Sequence, residues 1–436
     1  MQQNNKKLGI MATKKCLVKT MLMSILTVGT MMSFTACSSD DDLLMTAKNS
    51  ETMNTNQFVA AERTVLVYLA GKNNLSKSLQ TNLEQMKAGS RRIGNNTLLV
   101  FVRRDIQGEK PWLARISNGE VKDSVSIDDM GIATSNMQAC NPELMEQVMK
   151  YAYSHYPASD YGLVLGGHST GWLIDQEPCD TRAFGVDNGD GYTYSTRNRK
   201  WINVPTLALV LERVPHLKFI FADCCNFMCL ETMYELRHAT DYIIGSPAEI
   251  PAEGAPYEQI IPALFEKSTF CSSIIDIYHR RQNGELPLSA VKTSAIDQLA
   301  SATRYALDIV QTKTGSGYAD TKGLIHYGYS ASSIVFHQEY NLFYDAGDFF
   351  RSQLSESDYQ LWKHALDEAV VEKRFAKQWR TCMTWRYTYS DFEMTEERYH
   401  GVSMYIPQDA NTEYGRYYAQ NNEDIKQLKW YQSVGW

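Results

Sequence analysis

Two apolar runs in this chain each stop at a reactive side chain. Leu163-Val164-Leu165-Gly166-Gly167 leads into His168-Ser169-Thr170-Gly171-Trp172, and Phe219-Ile220-Phe221-Ala222 leads into Asp223-Cys224-Cys225. Unbroken runs of branched and aromatic residues, bounded by glycine and polar residues, belong to strands buried on both faces of a parallel sheet. In such a sheet ligands bind beyond the carboxyl ends of the strands. His168 and the Cys224-Cys225 pair stand there, and a Cys/His pair so placed is the minimum equipment of a cysteine peptidase.

The rest of the chain supports that sheet. Residues 64–70 form a third apolar run, followed by Gly71-Lys72-Asn73-Asn74 and a helical stretch with Leu79, Leu83 and Met86 on one face. Residues 97–102 predict another buried strand, and residues 112–116 a short, antiparallel one. Helices are expected over 142–156, with Leu144, Val148 and Tyr151 on one face, and over 228–238, before a last apolar run, Tyr242-Ile243-Ile244-Gly245. Strand–helix alternation of this kind implies an α/β doubly wound sheet, assigned here to residues 61–285. Beyond about Ser289 the texture changes. Helices are expected over 296–312, 342–354 and 358–375, and Gly401-Val402-Ser403-Met404-Tyr405-Ile406-Pro407 reads as a strand. Residues 286–436 are therefore expected to form an α+β region packed on the sheet.

The N-terminus reads as targeting sequence. Lys14, Lys15 and Lys19 precede a short apolar stretch ending in Phe34-Thr35-Ala36-Cys37. That is a secretory signal by pattern, and its end resembles a bacterial lipoprotein box with Cys37 as the lipidated residue. Ser38-Ser39-Asp40-Asp41-Asp42 resembles the acidic export tag of surface lipoproteins in Bacteroides-like bacteria. The expectation is a signal peptide over 1–37, a polar tether over 38–60, and a mature protein anchored by lipid to the bacterial outer membrane, exposed at the surface. With 436 residues, 44% of them hydrophobic, the chain can bury a sizeable core, and its net charge of -7 argues against a general nucleic-acid binder. Of nine cysteines, Cys16 and Cys37 belong to the targeting segment, which leaves seven. An odd number in an exported protein leaves at least one free thiol, and Cys225 is the natural candidate. No Cys-x-x-Cys pair repeats at zinc spacing, so no metal site is expected.

The chemistry follows from the pair. A thiolate attacks, and a neighbouring imidazole lowers the thiol pKa and then protonates the leaving amine. The His and Cys strands are separated by one crossover, which makes them expected neighbours. The backbone N–H groups of Ser169 and Cys225 are the candidate oxyanion donors. Strand alternation puts Asp223 on the side of Cys225 and Cys224 on the other. An acid beside a nucleophilic thiol raises its pKa, so Asp223 needs another task. The task that suits it is pairing a cationic substrate side chain next to the scissile bond; the alternative is a helix cap or a partner for a structural Arg.

These motifs resemble the clostripain family of cysteine peptidases, in the caspase-like clan. The likeness rests on His168-Ser169-Thr170-Gly171-Trp172, on Asp223-Cys224-Cys225 and on Glu231-Thr232-Met233-Tyr234-Glu235-Leu236. It continues through Asp241–Ser246, Gly254-Ala255-Pro256-Tyr257, Val67–Ala70 with Asn73-Asn74-Leu75, Pro157–Tyr161 and 401–407. It implies a caspase-like, mostly parallel sheet flanked by helices, a His168/Cys225 dyad, and cleavage after Arg or Lys in protein or peptide substrates. Its register selects Cys225 over Cys224. By position Asp223 takes the S1 acid role, with Glu253, or alternatively Glu249, as a second pocket acid. The resemblance further implies self-cleavage between the His and Cys strands, where Arg182, Arg197, Arg199 and Lys200 are candidates.

Two residues depart from the family pattern. Ser169 stands where the family usually carries Gly, which would cost strain if that position requires φ > 0. Lys72 replaces an Asp common in the first turn. Calcium dependence is known in the family; Asp187-Asn188-Gly189-Asp190-Gly191 resembles a calcium loop only loosely and does not fit EF-hand spacing, so no cofactor is expected and calcium is left open. The competing readings are a catalytically silent binding lipoprotein on the same scaffold, and amidase or acyl-transfer chemistry by the same dyad. A serine hydrolase is disfavoured, because no Gly-x-Ser-x-Gly elbow follows a strand.

Overall fold

The computed structural model describes residues 61–174, 184–190, 200–315, 317–327, 341–379, 393–412 and 415–436. The signal peptide, the tether, Cys37, Arg182, Arg197 and Arg199 lie outside the described residues. In chain order the strands are β1 (Ala61–Gly71), β2 (Thr97–Arg104), β3 (Trp112–Ser117), β4 (Glu120–Ser126), β5 (Ala158–Gly167), β6 (Phe184–Asp187), β7 (Lys200–Ile202), β8 (Leu217–Asp223), β9 (Thr240–Gly245), β10 (Leu288–Lys292), β11 (Tyr344–Asp345), β12 (Val370–Arg374) and β13 (Ser403–Met404). The helices are α1 (Ser76–Gly89), α2 (Pro142–His155), α3 (Val204–Leu211), α4 (Leu230–Leu236), α5 (Tyr257–Ala263), α6 (Phe270–Arg281), α7 (Ile296–Thr314), α8 (Ala346–Gln353), α9 (Glu356–Ala369), α10 (Gly415–Asp424) and α11 (Lys429–Val434).

Nine of these strands form one sheet in the order β12-β10-β9-β8-β5-β1-β2-β3-β4. The central five, β9-β8-β5-β1-β2, are parallel. They are the apolar runs of the sequence, and the period of two splits their side chains between two cores. Leu66, Tyr68, Leu163, Leu165, Ile220 and Ala222 pack with residues of α2, α3, α4 and α7 on one face. Val65, Val67, Val164, Phe219 and Phe221 pack with α1, α5 and α6 on the other. A strand covered on both faces has no polar side, which is why these segments read as continuous rather than alternating.

The edges are antiparallel. β3 and β4 close one side, and the outermost strand, Glu120-Val121-Lys122-Asp123-Ser124-Val125-Ser126, is charged and polar. That blunts the open edge against further pairing. On the other side β10 and β12 continue the sheet past residue 285, so residues after the expected boundary are built into the same sheet.

Two expected helices differ from the structure. Over 342–354, Tyr344–Asp345 is a strand that pairs with β13, and α8 begins only at Ala346, with the Asp345 side chain accepting from the Asp348 N–H as its N-cap. Over 358–375, the helix stops at Ala369, and Val370-Val371 open β12 against β10. Helical periodicity carries into Val370, but β-branched residues facing an unpaired sheet edge take the strand. The strand expected over 401–407 is confined to Ser403–Met404. Among the described residues no helix is long and apolar enough to cross a membrane.

Candidate active site

His168 and Cys225 emerge from adjacent parallel strands. β5 pairs with β8 so that Gly166 lies opposite Asp223. Each candidate catalytic residue stands two positions beyond that pair, so the two follow the ends of neighbouring strands. Both are partly exposed at the carboxyl end of the sheet.

The turn after β5 is built by glycines and by its neighbours. Gly171 has φ of 60°, and a Cβ there would collide with the carbonyl oxygen of Asn226, so the His turn and the Cys turn touch through bare backbone. Ser169 is not among the residues with positive φ, so its side chain costs no backbone strain. It is buried, and its hydroxyl accepts from the Gly171 N–H at 3.1 Å. The carbonyl of His168 accepts from the Gly185 N–H of β6 at 2.8 Å. Trp172 is fully buried and leans on Tyr405, with ring centroids 4.8 Å apart.

The His168 imidazole meets Asn74. Its Nε2 lies 2.7 Å from Asn74 Oδ1. β1 and β5 are adjacent, with Ala70 opposite Gly167, so the turn after β1 folds over His168. Asn73 secures that turn: its Nδ2 donates to the carbonyls of Ala70 and Val186, and its Oδ1 accepts from the Leu75 N–H. Asn74 is a site residue that sequence reading did not assign; the signal was a polar turn at the end of a strand adjacent to the His strand.

Beyond β8 the two cysteines part as strand alternation requires. Cys224 sits in the core beside Ala222 and Met228, fully buried, and burial pushes its thiol well above the ordinary range. Cys225 is partly exposed, and its Sγ lies 3.4 Å from the Ile250 N–H. All five cysteines among the described residues are unbridged. Asn226, immediately after Cys225, turns the chain with φ of 53° and is held by the carbonyls of Ala248 and Pro247.

Asp223 points to the opposite core from Cys224, beneath the loop that carries Ile250. It is 4% exposed. Its carboxylate accepts from the Ala255 N–H (3.0 and 3.1 Å), Tyr257 Oη (2.7 Å) and Tyr278 Oη (3.0 Å). Burial raises its pKa, while these three donors oppose the rise. All three are neutral, so an ionised Asp223 keeps its full negative charge. Gly254, with φ of 66°, lets the loop close on it, since a Cβ there would stand 2.7 Å from Asp223 Oδ2. Glu253 is exposed on this loop, with its carbonyl accepting from Asn82, and Glu249 is buried next to Ala248.

The Asp187 turn does not suit calcium. Asp187 is buried and accepts from the N–H groups of Ala139 and Gly189, with Arg103 Nε 3.4 Å away. Asp190 pairs with Arg103 at 3.0 Å and with Lys72 at 3.3 Å. Two cations already occupy these carboxylates and would repel a third. Among the described residues no group of three or more His, Cys, Asp or Glu side chains is placed to hold a metal. Lys72 thus serves as an anchor for the β6 turn, where the family pattern has an Asp. Lys200 opens β7, opposite Asp187.

Comparison with known proteins identifies the family of the chain. Residues 67–436 match the clostripain family. The chain is 23% identical to clostripain of Hathewaya histolytica over 217 residues, 45% of this chain and 41% of that protein; it spans well under two thirds of that relative's length. Two solved structures are similar over 86% of this chain and 99% of their own, each 28% identical. One is a secreted cysteine protease of the family from Bacteroides thetaiotaomicron in complex with an irreversible peptide inhibitor, with a TM-score of 0.65. The other is an inactive zymogen from Parabacteroides distasonis, with a TM-score of 0.69. The mostly parallel sheet flanked by helices is a caspase-like fold, and the chain belongs to the clostripain family of cysteine peptidases.

Proposed function

We propose that this protein is an endopeptidase that cleaves after Arg or Lys through a His168/Cys225 dyad. The carrying observation is the pairing of Gly166 with Asp223, from which the two residues leave neighbouring strands in step. The imidazole takes the thiol proton, the thiolate attacks the scissile carbonyl, and the backbone N–H groups of Ser169 and Cys225 receive the developing oxyanion. The imidazolium then protonates the leaving amine, and water hydrolyses the thioester. Asp223, held by the Ala255 N–H, Tyr257 and Tyr278 beneath the loop that faces Cys225, is the S1 acid of this reading, and Glu253, exposed on that loop, is the second pocket acid. A buried carboxylate with only neutral donors is the partner a cationic side chain needs.

Two further elements complete the reading. Self-cleavage at Arg182, Arg197, Arg199 or Lys200 matures the enzyme, consistent with a zymogen among its structural relatives. Cys37 carries a lipid that tethers the protein to the outer membrane. The test is turnover of Arg, Lys and Ala reporter peptides by wild type, Cys225→Ala and His168→Ala, with intact mass read on the same samples. The expected outcome is basic-selective turnover and a nicked chain for wild type, and neither for the two variants. Turnover by Cys225→Ala would refute the dyad, and indifference to the P1 residue would refute the specificity.

A further inference from the structure

We infer that Asn74 is a positioning residue for the imidazole of His168, holding the ring by Nε2 so that proton exchange with the substrate runs through Nδ1. The inference rests on the His168/Cys225 dyad proposed above. Its carrying observation is the 2.7 Å approach of His168 Nε2 to Asn74 Oδ1. An amide oxygen only accepts, so this contact places the ring proton on Nε2 and leaves the lone pair on Nδ1.

The surrounding turn is arranged for that contact. Neighbouring Asn73 ties the backbone on both sides of it, to Ala70, Leu75 and Val186. That fixes where residue 74 stands and leaves its side chain no part in holding the turn. Lys72, two residues earlier, is drawn away to Asp105 and Asp190, so its charge is spent elsewhere. Asn74 itself is exposed, and a substitution there opens no hole in the core.

A neutral partner suits this chemistry. A serine nucleophile needs a basic imidazole, and a carboxylate behind the ring supplies that basicity. A thiol ionises near pH 8.5, within reach of an unassisted imidazole. Orientation is then the property worth supplying, and an amide supplies it without adding a charge.

The test compares Asn74→Leu, Asn74→Asp and His168→Ala on one reporter peptide, with kcat and KM measured separately and Tm read alongside. Asn74→Leu keeps the size and loses the acceptor; kcat is expected to fall about 10- to 100-fold with KM nearly unchanged. Its Tm is expected to stay within about 1 °C, as for other surface substitutions. Asn74→Asp keeps an acceptor oxygen and is expected to restore most of kcat. An Asn74→Leu enzyme with wild-type kcat, beside an inactive His168→Ala, overturns this inference and leaves the dyad standing. Loss of Tm together with kcat, or no rescue by Asp, also overturns it. An active His168→Ala overturns the dyad itself, and this inference with it.

Discussion

Replacing Glu231 with Gln would remove a buried charge from α4, the helix that follows Cys225. Glu231 is fully buried; its Oε1 accepts from the Tyr405 N–H at 2.7 Å, and its Oε2 is without a hydrogen-bond partner. Burial raises the carboxyl from its ordinary 4.5 to about 7, against the lowering effect of its hydrogen bonds. A carboxyl raised in the folded state stabilises the protein fully below its unfolded value, and that contribution is lost as pH rises through the folded one. The loss comes to about 1 kcal/mol at pH 5 and about 3 kcal/mol at pH 8. Gln keeps the acceptor for Tyr405 and cannot ionise, so Glu231→Gln should gain these amounts relative to the parent. The folded unit, Thr55–Trp436, has an unfolding entropy of about 0.8 kcal/mol/K, so the gain in Tm should grow from about 1 °C at pH 5 to about 4 °C at pH 8. The measurement is thermal unfolding of both proteins in a Cys225→Ala background, which removes the proposed self-cleavage from the comparison. A difference in Tm that is constant with pH, or that shrinks as pH rises, would refute the assignment of an ionising, desolvated Glu231.

Two other outcomes are expected. Gly171→Ala forces a side chain into a left-handed backbone position and against the Asn226 carbonyl; the conformation alone costs about 1–2 kcal/mol. Peptidase activity should fall more than Tm does, because the collision displaces the turn next to Cys225, and an enzyme with full kcat would show that the two turns move independently. Asp223→Asn keeps the shape within the Ala255, Tyr257 and Tyr278 cage and removes the charge; kcat/KM for Arg and Lys peptides should drop at least about 30-fold, with little change for an Ala peptide. An equal loss on all peptides would make Asp223 structural.

The sheet was legible because its central strands are buried on both faces, and short runs rich in branched and aromatic residues, such as 64–70 and 219–222, suit such strands better than helices. The split of Cys224 from Cys225 was equally legible, since strand alternation alone decides it. The edge strands were not. β12 continues the helical pattern of α9 and becomes a strand only because β10 offers it an edge, a fact of tertiary structure with no local signature. The site was half visible for the same reason. His168 and Cys225 announce themselves by where the apolar runs stop. Asn74 becomes meaningful only once β1 lies beside β5, and the Tyr257–Tyr278 cage around Asp223 only once α5 and α6 cover that face. Ser169 looked like a source of strain because sequence shows a residue type and not a dihedral angle.

β13 sets a condition on timing. Ser403 donates its N–H to the carbonyl of Met228 at 3.0 Å and bridges Cys229, while Tyr405 caps Glu231. The segment that follows Cys225 is therefore held by residues 174 and 175 positions further along the chain. Contacts so far apart form only after a long loop has closed, and such non-local pairing is slow. The turn beyond Cys225 is therefore expected to gain its support late in folding, after the parallel strands that carry His168 and Cys225 have paired.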